Sequence, residues 1–145
     1  MYKKILIPLD NSLTDEAILT HIKPLARLCE AEIVLVHVAD GFAARLQEQL
    51  NLADSEEIVN DRAYLESVAG QFKQNGFNVK HYLLKGDPVD SIVRLLKQEG
   101  CDLIAMATHG HEGVMDWVMG SVADGLRHKT CVPILMVRGA KAKDS

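Results

Sequence analysis

Residues 86–107, GDPVDSIVRLLKQEGCDLIAMA, predict one helix followed by one buried strand. Asp87 is a good N-cap, Pro88 suits the first helical turn, and Gly100 is a typical C-terminal stop. The run 101–107 that follows is short and mostly apolar, as expected of a strand buried on both faces of a parallel sheet. This stretch therefore indicates a helix that leads directly into a parallel strand.

The same alternation of strand and helix runs through the rest of the chain. Five short strands separated by helices imply a parallel sheet, and right-handed crossovers restrict its topology. We predict an α/β fold, a single doubly wound five-stranded parallel sheet with strand order 3-2-1-4-5 and helices on both faces. The other strands are predicted at 3–10, 31–39, 77–86 and 132–138, and the other helices at 12–29 (capped by Ser12), 55–75 and 120–129.

Composition and charge narrow the class of protein. The 145 residues fit one domain, 1–145, with a mobile loop at 40–54 and a flexible tail at 139–145. A net charge of -4 argues against a nucleic-acid or membrane-surface binder, and no apolar run is long enough to span a membrane. Cys29, Cys101 and Cys131 are far apart in apolar surroundings, so we expect core packing. With no export signal, we expect a cytoplasmic protein.

The loop after the predicted fourth strand has the residues of a phosphate site. Gly110 follows the strand, and Gly120-Ser121 opens what the pattern predicts to be a helix. Unpaired N–H groups at a helix start favour an anion, and glycine allows close backbone approach. The spacing is neither that of a P-loop nor that of a dinucleotide fingerprint. The alternative is that these glycines serve only the turn and the cap.

The arrangement resembles the universal stress protein family, whose nucleotide-binding members carry Gly-x-x-Gly, nine residues, then Gly-Ser or Gly-Thr. In this chain the pattern reads Ala107-Thr-His-Gly110, nine residues, then Gly120-Ser121. The resemblance extends to YKKILIPLD, IVLVHVA, GDPVDSIV and CVPILMV, and so covers the whole chain. Ala107 departs from the pattern, because it stands where the first glycine would be and disfavours a positive φ.

The resemblance implies an ATP or AMP site at the carboxyl ends of the strands, with Mg²⁺ or Mn²⁺ as a companion of ATP. Asp10 would bind the ribose or adenine side, and Pro8 and Val38 would bracket the adenine. Asp10 could instead cap the following turn, and Val38 could be plain core. The implied cofactor-binding residues are Pro8, Asp10, Val38, Ala107, Thr108, His109, Gly110, His111, Gly113, Gly120, Ser121 and Val122.

No catalytic residue and no metal ligand is assigned from the sequence. His109 and His111 are two apart in a loop and lack partners for a tetrahedral set, so His111 is interpreted as a phosphate donor. His37, inside an apolar strand, is expected to be a hydrogen-bonded core residue. We expect at most slow ATP hydrolysis.

Three functional hypotheses follow from these residues. The first is a nucleotide-binding module of a stress response. The second is a family member without nucleotide that acts through dimerisation and protein contacts, and the third is an adenylyl-transferring or hydrolytic enzyme. The family resemblance and the apolar last strand together predict a homodimer through residues 132–138.

Overall fold

The computed structural model describes residues 1–39, 56–108 and 114–139. In these ranges the chain runs β1 (Lys4–Pro8), α1 (Asp15–Cys29), β2 (Glu32–Ala39), α2 (Glu56–Gln74), β3 (Val79–Lys85), α3 (Pro88–Glu99), β4 (Leu103–Thr108), α4 (Val114–Lys129) and β5 (Ile134–Arg138). The predicted loop 40–54 and the tail from 140 onward lie outside the described residues.

The five strands form one parallel sheet in the order β3-β2-β1-β4-β5, which confirms the predicted topology. The winding reverses at β1, because β2 follows on one side of it and β4 on the other. The edge strands are β3 and β5. A crevice for a ligand is expected where the winding reverses, at the carboxyl ends of β1 and β4.

Two apolar clusters cover the two faces of the sheet. Helices α1 and α2 pack on one face, with Ile22 and Phe72 among their buried side chains. Helices α3 and α4 pack on the other face, with Leu95 and Leu126 among theirs. In β1, Ile5 and Ile7 belong to the first cluster and Leu6 to the second, so the strand is buried on both faces as predicted. None of the helices in the described ranges is long and apolar enough to cross a membrane.

The ends of α3 agree with the sequence. Asp87 accepts a hydrogen bond from the Asp90 backbone N–H at 2.9 Å, so it is the N-cap that its position indicated. Gly100 adopts φ 69° at the C-cap, a conformation that glycine adopts without steric cost.

Two predicted helix starts were wrong. Helix α1 begins at Asp15 rather than after Ser12, because residues 11–14 form a turn. In that turn the Ser12 hydroxyl donates to the Asp10 carboxylate at 2.5 Å and accepts from the Thr14 N–H at 3.3 Å. Helix α4 begins at Val114 rather than at Gly120. Residues 114–119 contain neither proline nor glycine, so nothing in them stops the helix from extending back toward Gly113.

The expectation that all three cysteines pack in the core was wrong for one of them. Cys101 is buried, and Cys29 is half-buried against the cluster under α1 and α2. Cys131 is exposed, because it lies in the short turn between α4 and β5 rather than in an element that faces the sheet.

Candidate functional site

The carboxyl ends of β1, β2 and β4 meet at one edge of the sheet. Pro8 is the last residue of β1 and pairs with Val36, two residues before Val38 on β2. On the other side of β1, Thr108 ends β4. The structure therefore brings the predicted site segments at the ends of β1, β2 and β4 to the place where the sheet reverses its winding.

Asp10 lies immediately beyond β1 and is half-buried. The preceding Leu9 extends the ladder, since its N–H donates to the Val36 carbonyl at 2.8 Å. The Asp10 Oδ1 atom accepts from the Ser12 backbone N–H at 3.1 Å and from the Ser12 hydroxyl at 2.5 Å. The role of turn cap, one of the two predicted for Asp10, is therefore present in the structure.

Pro8, Val38 and Ala107 differ in what they present to the site. Pro8 is buried. Val38 is half-buried and packs against the cluster of α3 and α4, so it contributes to the packing of the core, which was the alternative considered for it. Ala107 is 4% exposed and packs in the cluster of α1 and α2. It lies in β4 and is not among the described residues with a positive φ, so an alanine fits this position without strain.

The loop that follows β4 is only partly described. Thr108 is half-buried, and its carbonyl accepts from the Gly139 N–H at 2.5 Å, which ties the end of β5 to the start of the loop. The remaining predicted phosphate contacts of this loop lie outside the described residues: His109, Gly110, His111 and Gly113.

Gly120, Ser121 and Val122 lie within α4 and not at its first turn. Gly120 and Ser121 are exposed, whereas Val122 is buried among the α3 and α4 side chains. A β-carbon built on Gly120 would meet nothing within 4 Å, so no neighbour in the described chain requires a glycine there. Gly120, which was predicted to open the helix and to offer free N–H donors, therefore lies six residues after the actual start of α4.

A buried acid behind Asp10 was not predicted. Asp15 is 2% exposed and accepts hydrogen bonds from the Asp10 N–H at 3.3 Å and the Asn11 N–H at 2.9 Å. The Tyr64 hydroxyl of α2 donates to it at 2.6 Å. Burial, and next the negative charge of Asp10, raises the pKa of Asp15 from 3.8 to about 7. Burial, followed by the charge of Asp15, also raises the pKa of Tyr64.

His37 extends this polar group into the sheet. Its Nδ1 lies 2.7 Å from the Leu9 carbonyl oxygen and its Nε2 lies 3.0 Å from Oδ2 of Asp61 on α2. The Asn11 side-chain amide donates to the other Asp61 oxygen at 3.0 Å. The predicted hydrogen bonding of His37 is confirmed, whereas the residue is half-buried rather than part of the core. Its acidic partner could not be recognised from the sequence, because Asp61 is 24 positions away.

Fold and site together define a doubly wound α/β protein in which the ends of β1, β2 and β4 meet at the reversal point of the sheet. The chain matches the model of the universal stress protein family over residues 1–138. It is 30% identical to the universal stress protein MJ0577 of Methanocaldococcus jannaschii, over 95% of this chain and 96% of that protein. The chain belongs to the universal stress protein family, as its motifs indicated.

Solved structures give the same fold. That of MJ0577 superposes with a TM-score of 0.77 at 31% identity and covers 98% of this chain and 99% of its own. A universal stress protein from Archaeoglobus fulgidus in complex with dAMP has a TM-score of 0.69 at 20% identity, covering 94% and 98%. A further universal stress protein structure, in complex with cAMP, has a TM-score of 0.69 at 17% identity and covers 96% of this chain and 98% of its own.

Among the described residues, no group of three or more His, Cys, Asp and Glu side chains could hold a metal ion. The carboxylates of Asp10 and Asp15 instead accept hydrogen bonds from the backbone N–H groups of residues 10–12.

Proposed function

We propose that this chain binds an adenine nucleotide, ATP or AMP, at the carboxyl edge of the sheet. The observation that carries the proposal is the position of Asp10, half-buried at the reversal point and flanked by the ends of β2 and β4. A carboxylate there is a suitable acceptor for sugar hydroxyls. The relatives solved with dAMP and cAMP have the same fold and add support.

The proposed roles follow the order of the strands. Asp10 accepts hydrogen bonds from the sugar, and Pro8 and Val38 border the base. The loop from Ala107 to Gly113, together with Gly120 and Ser121 of α4, surrounds the phosphates. Any Mg²⁺ or Mn²⁺ would arrive with ATP and be held largely by phosphate oxygens, as these cations commonly are.

The direct test is to release bound nucleotide from the purified protein by denaturation and identify it by chromatography and mass spectrometry. Protein stripped of nucleotide is then titrated with ATP and AMP by calorimetry. Absence of adenine nucleotide in the first measurement and of binding in the second would reject the proposal and favour the family member without nucleotide.

A matched pair of variants separates the two roles of Asp10. Asp10→Asn keeps an oxygen that can accept from Ser12 but removes the charge, whereas Asp10→Ala removes both. If Asp10 binds the sugar, both variants lose affinity, by about 1 to 3 kcal/mol for a charge-assisted hydrogen bond. If it serves only the turn, Asp10→Ala lowers the melting temperature and neither variant changes the affinity.

We also propose that two chains pair through β5. Among the described strands β5 contacts only β4, and Met136 on it is 50% exposed. A groove adjoins this strand and is lined by residues of α4, of the following turn and of β5, among them Asp124, Arg127, Val132, Ile134 and Met136. An open edge strand next to exposed apolar surface can pair with its copy about a two-fold axis.

The register of β5 determines which variant tests this pairing. The Ile104 N–H donates to the Pro133 carbonyl and the Gly139 N–H donates to the Thr108 carbonyl, so odd-numbered residues of β5 face β4. Met136 therefore directs its N–H to the open edge, and proline is tolerated at such a position. Met136→Pro should give a folded monomer in sedimentation, with Met136→Ala as the control. A folded Met136→Pro protein that stays dimeric would reject pairing through β5.

The net charge of -4 supports the proposal that nucleic acid is not a partner. A cytoplasmic location remains a prediction from the sequence. Enzymatic activity beyond slow ATP hydrolysis is not proposed, because no nucleophile paired with a general base is apparent in the sequence.

A further inference from the structure

Asp61 of α2 holds the residues on both sides of Asp10. Its Oδ1 atom accepts a hydrogen bond from the Asn11 side-chain amide at 3.0 Å. Its Oδ2 atom lies 3.0 Å from Nε2 of His37, and Nδ1 of that ring lies 2.7 Å from the Leu9 carbonyl oxygen. One carboxyl group thus reaches residue 11 directly and residue 9 through a single imidazole ring, and Asp10 is the residue between them.

Each of these contacts has a donor and an acceptor. A carbonyl oxygen only accepts, so the Nδ1 atom of His37 carries a proton and donates to Leu9. The Asn11 amide is the donor at Oδ1, and the contact between Nε2 and Oδ2 needs one proton, which either His37 or Asp61 can supply. Asp61 is 7% exposed. Breaking these bonds would leave polar groups unsatisfied away from water, so the bonds restrict the segment that they hold.

The segment that Asp61 holds lies outside regular secondary structure. Residues 10–14 connect β1 to α1, and Asn11 in this connection has φ 61°, a left-handed conformation that few residues with a side chain adopt. Asp15 binds the backbone N–H groups of residues 10 and 11 from α1, whereas Asp61 binds the groups on either side of Asp10 from α2. Because the allowed directions of a side chain depend on its backbone, these bonds determine where the Asp10 carboxylate points.

We propose that Asp61 is a positioning residue of the nucleotide site, which through Asn11 and His37 directs the Asp10 carboxylate toward the sugar hydroxyls of the ligand. This inference rests on the proposed function. Asp61 itself does not touch the nucleotide and acts only by holding residues 9 and 11. Its loss therefore weakens the part of the binding that Asp10 supplies and leaves the contacts to the base and the phosphates unchanged.

The test compares two ligands that differ only in the sugar, ATP and its dideoxy analogue, which lacks both ribose hydroxyls. The dissociation constants of both are measured by calorimetry at the same pH, ionic strength and Mg²⁺ concentration. The ratio of the constant for the analogue to the constant for ATP measures what the sugar hydroxyls contribute to binding. A change in stability or in the phosphate contacts alters both constants alike and cancels in this ratio, so a merely structural role of Asp61 would not move it.

Four variants are compared with the wild type. Asp61→Ala removes both bonds of the carboxyl group. Asp61→Asn is the conservative variant, because its oxygen can accept from Asn11 while its amide donates to Nε2 of His37. Asn11→Gly removes only the side-chain bond to Asp61, since glycine adopts a positive φ without steric cost. Glu66→Gln replaces an acid by its amide at an exposed position of the same helix and is the matched control for Asp61→Asn.

We expect a ratio of about tenfold or more for the wild type, as for hydrogen bonds to a charged acceptor. Asp61→Ala reduces the ratio by about threefold or more, while the constant for the analogue changes by less than about threefold. Asn11→Gly reduces the ratio in part, and Asp61→Asn and Glu66→Gln keep the wild-type ratio. In an Asp10→Ala background, Asp61→Ala has no further effect on the ratio, because the group that it positions is gone.

Each contrary result has a separate meaning. Absence of ATP binding to the wild type overturns the proposed function, and this inference with it. ATP binding with a wild-type ratio in folded Asp61→Ala, or a further fall of the ratio when Asp61→Ala is added to Asp10→Ala, overturns the inference alone. If Asp61→Ala does not fold, Asn11→Gly decides the matter, because a folded Asn11→Gly protein with the wild-type ratio then overturns the positioning role.

Discussion

Replacing Gly120 by alanine should stabilise the free protein while weakening nucleotide binding. Gly120 lies within α4, and a β-carbon there would meet nothing within 4 Å. Alanine in a helix interior is favoured over glycine by about 0.5 to 1 kcal/mol, because glycine loses more backbone freedom on folding. For a chain of this size that gain raises the melting temperature by about 1 to 4 °C.

Gly125 provides the matched control in the same helix. Its added β-carbon would lie 2.6 Å from Cγ2 of Val89 on α3, so that the Val89 side chain or the packing of the two helices must shift. Overpacking of this kind costs about 1 to 3 kcal/mol, which exceeds the gain in helix propensity. Gly125→Ala should therefore lower the melting temperature, whereas Gly120→Ala raises it.

The binding arm of the experiment uses calorimetry with ATP on the same two variants. If phosphates lie against the backbone at Gly120, the added methyl group reduces affinity by about tenfold or more, which corresponds to about 1.4 kcal/mol. A Gly120→Ala protein that is stabilised yet binds ATP as the wild type does would refute the phosphate role of Gly120. A Gly120→Ala protein that is destabilised would refute the start of α4 at Val114, since alanine is worse than glycine at an N-cap.

Three further outcomes are expected. Burial raises the pKa of Asp15 from 3.8 in the unfolded chain to about 7 in the folded one. The free energy of unfolding should therefore fall as the pH rises between those values, by at most about 1.4 kcal/mol per pH unit. Asp15→Asn should abolish that slope in denaturant titrations. A thiol reagent should modify the exposed Cys131 first and the buried Cys101 last, since burial raises the pKa of Cys101 to about 11, and equal rates would contradict this order. Asp87→Ala should cost about 1 kcal/mol of unfolding free energy by removing the cap on the Asp90 N–H, and no loss on thermal denaturation would contradict the cap.

The site was predictable only in part. Asp10 could be singled out because the end of a central strand in a doubly wound sheet is a known ligand position. Asp15 stood in the sequence as an ordinary acidic residue of a first helical turn, where it suits the helix dipole. Its burial depends on α2, whose Tyr64 is 49 positions away, and no local pattern contains that contact.

The two wrong helix starts have a common cause. Local signals rank possible caps, but which one is used depends on what the neighbouring groups bind. Ser12 is a good capping residue by type, and its hydroxyl oxygen accepts from the Thr14 N–H at 3.3 Å. The residues around it nevertheless form a turn, because the Asp10 and Asn11 N–H groups bind the Asp15 carboxylate. Gly120 resembled a helix start, yet the six residues before it are also compatible with a helix and continue it.

What the sequence determined by itself was the class of fold, because strand and helix periodicities, caps and glycine stops are properties of neighbouring residues. The strand order followed once right-handed crossovers were assumed. Only the tertiary structure decided the burial that raises the pKa of Asp15, the bonding of His37 to Asp61 and the outward direction of the Met136 N–H. Each of these depends on burial and on partners from distant parts of the chain, and solvent exposure is set only when the layers pack together.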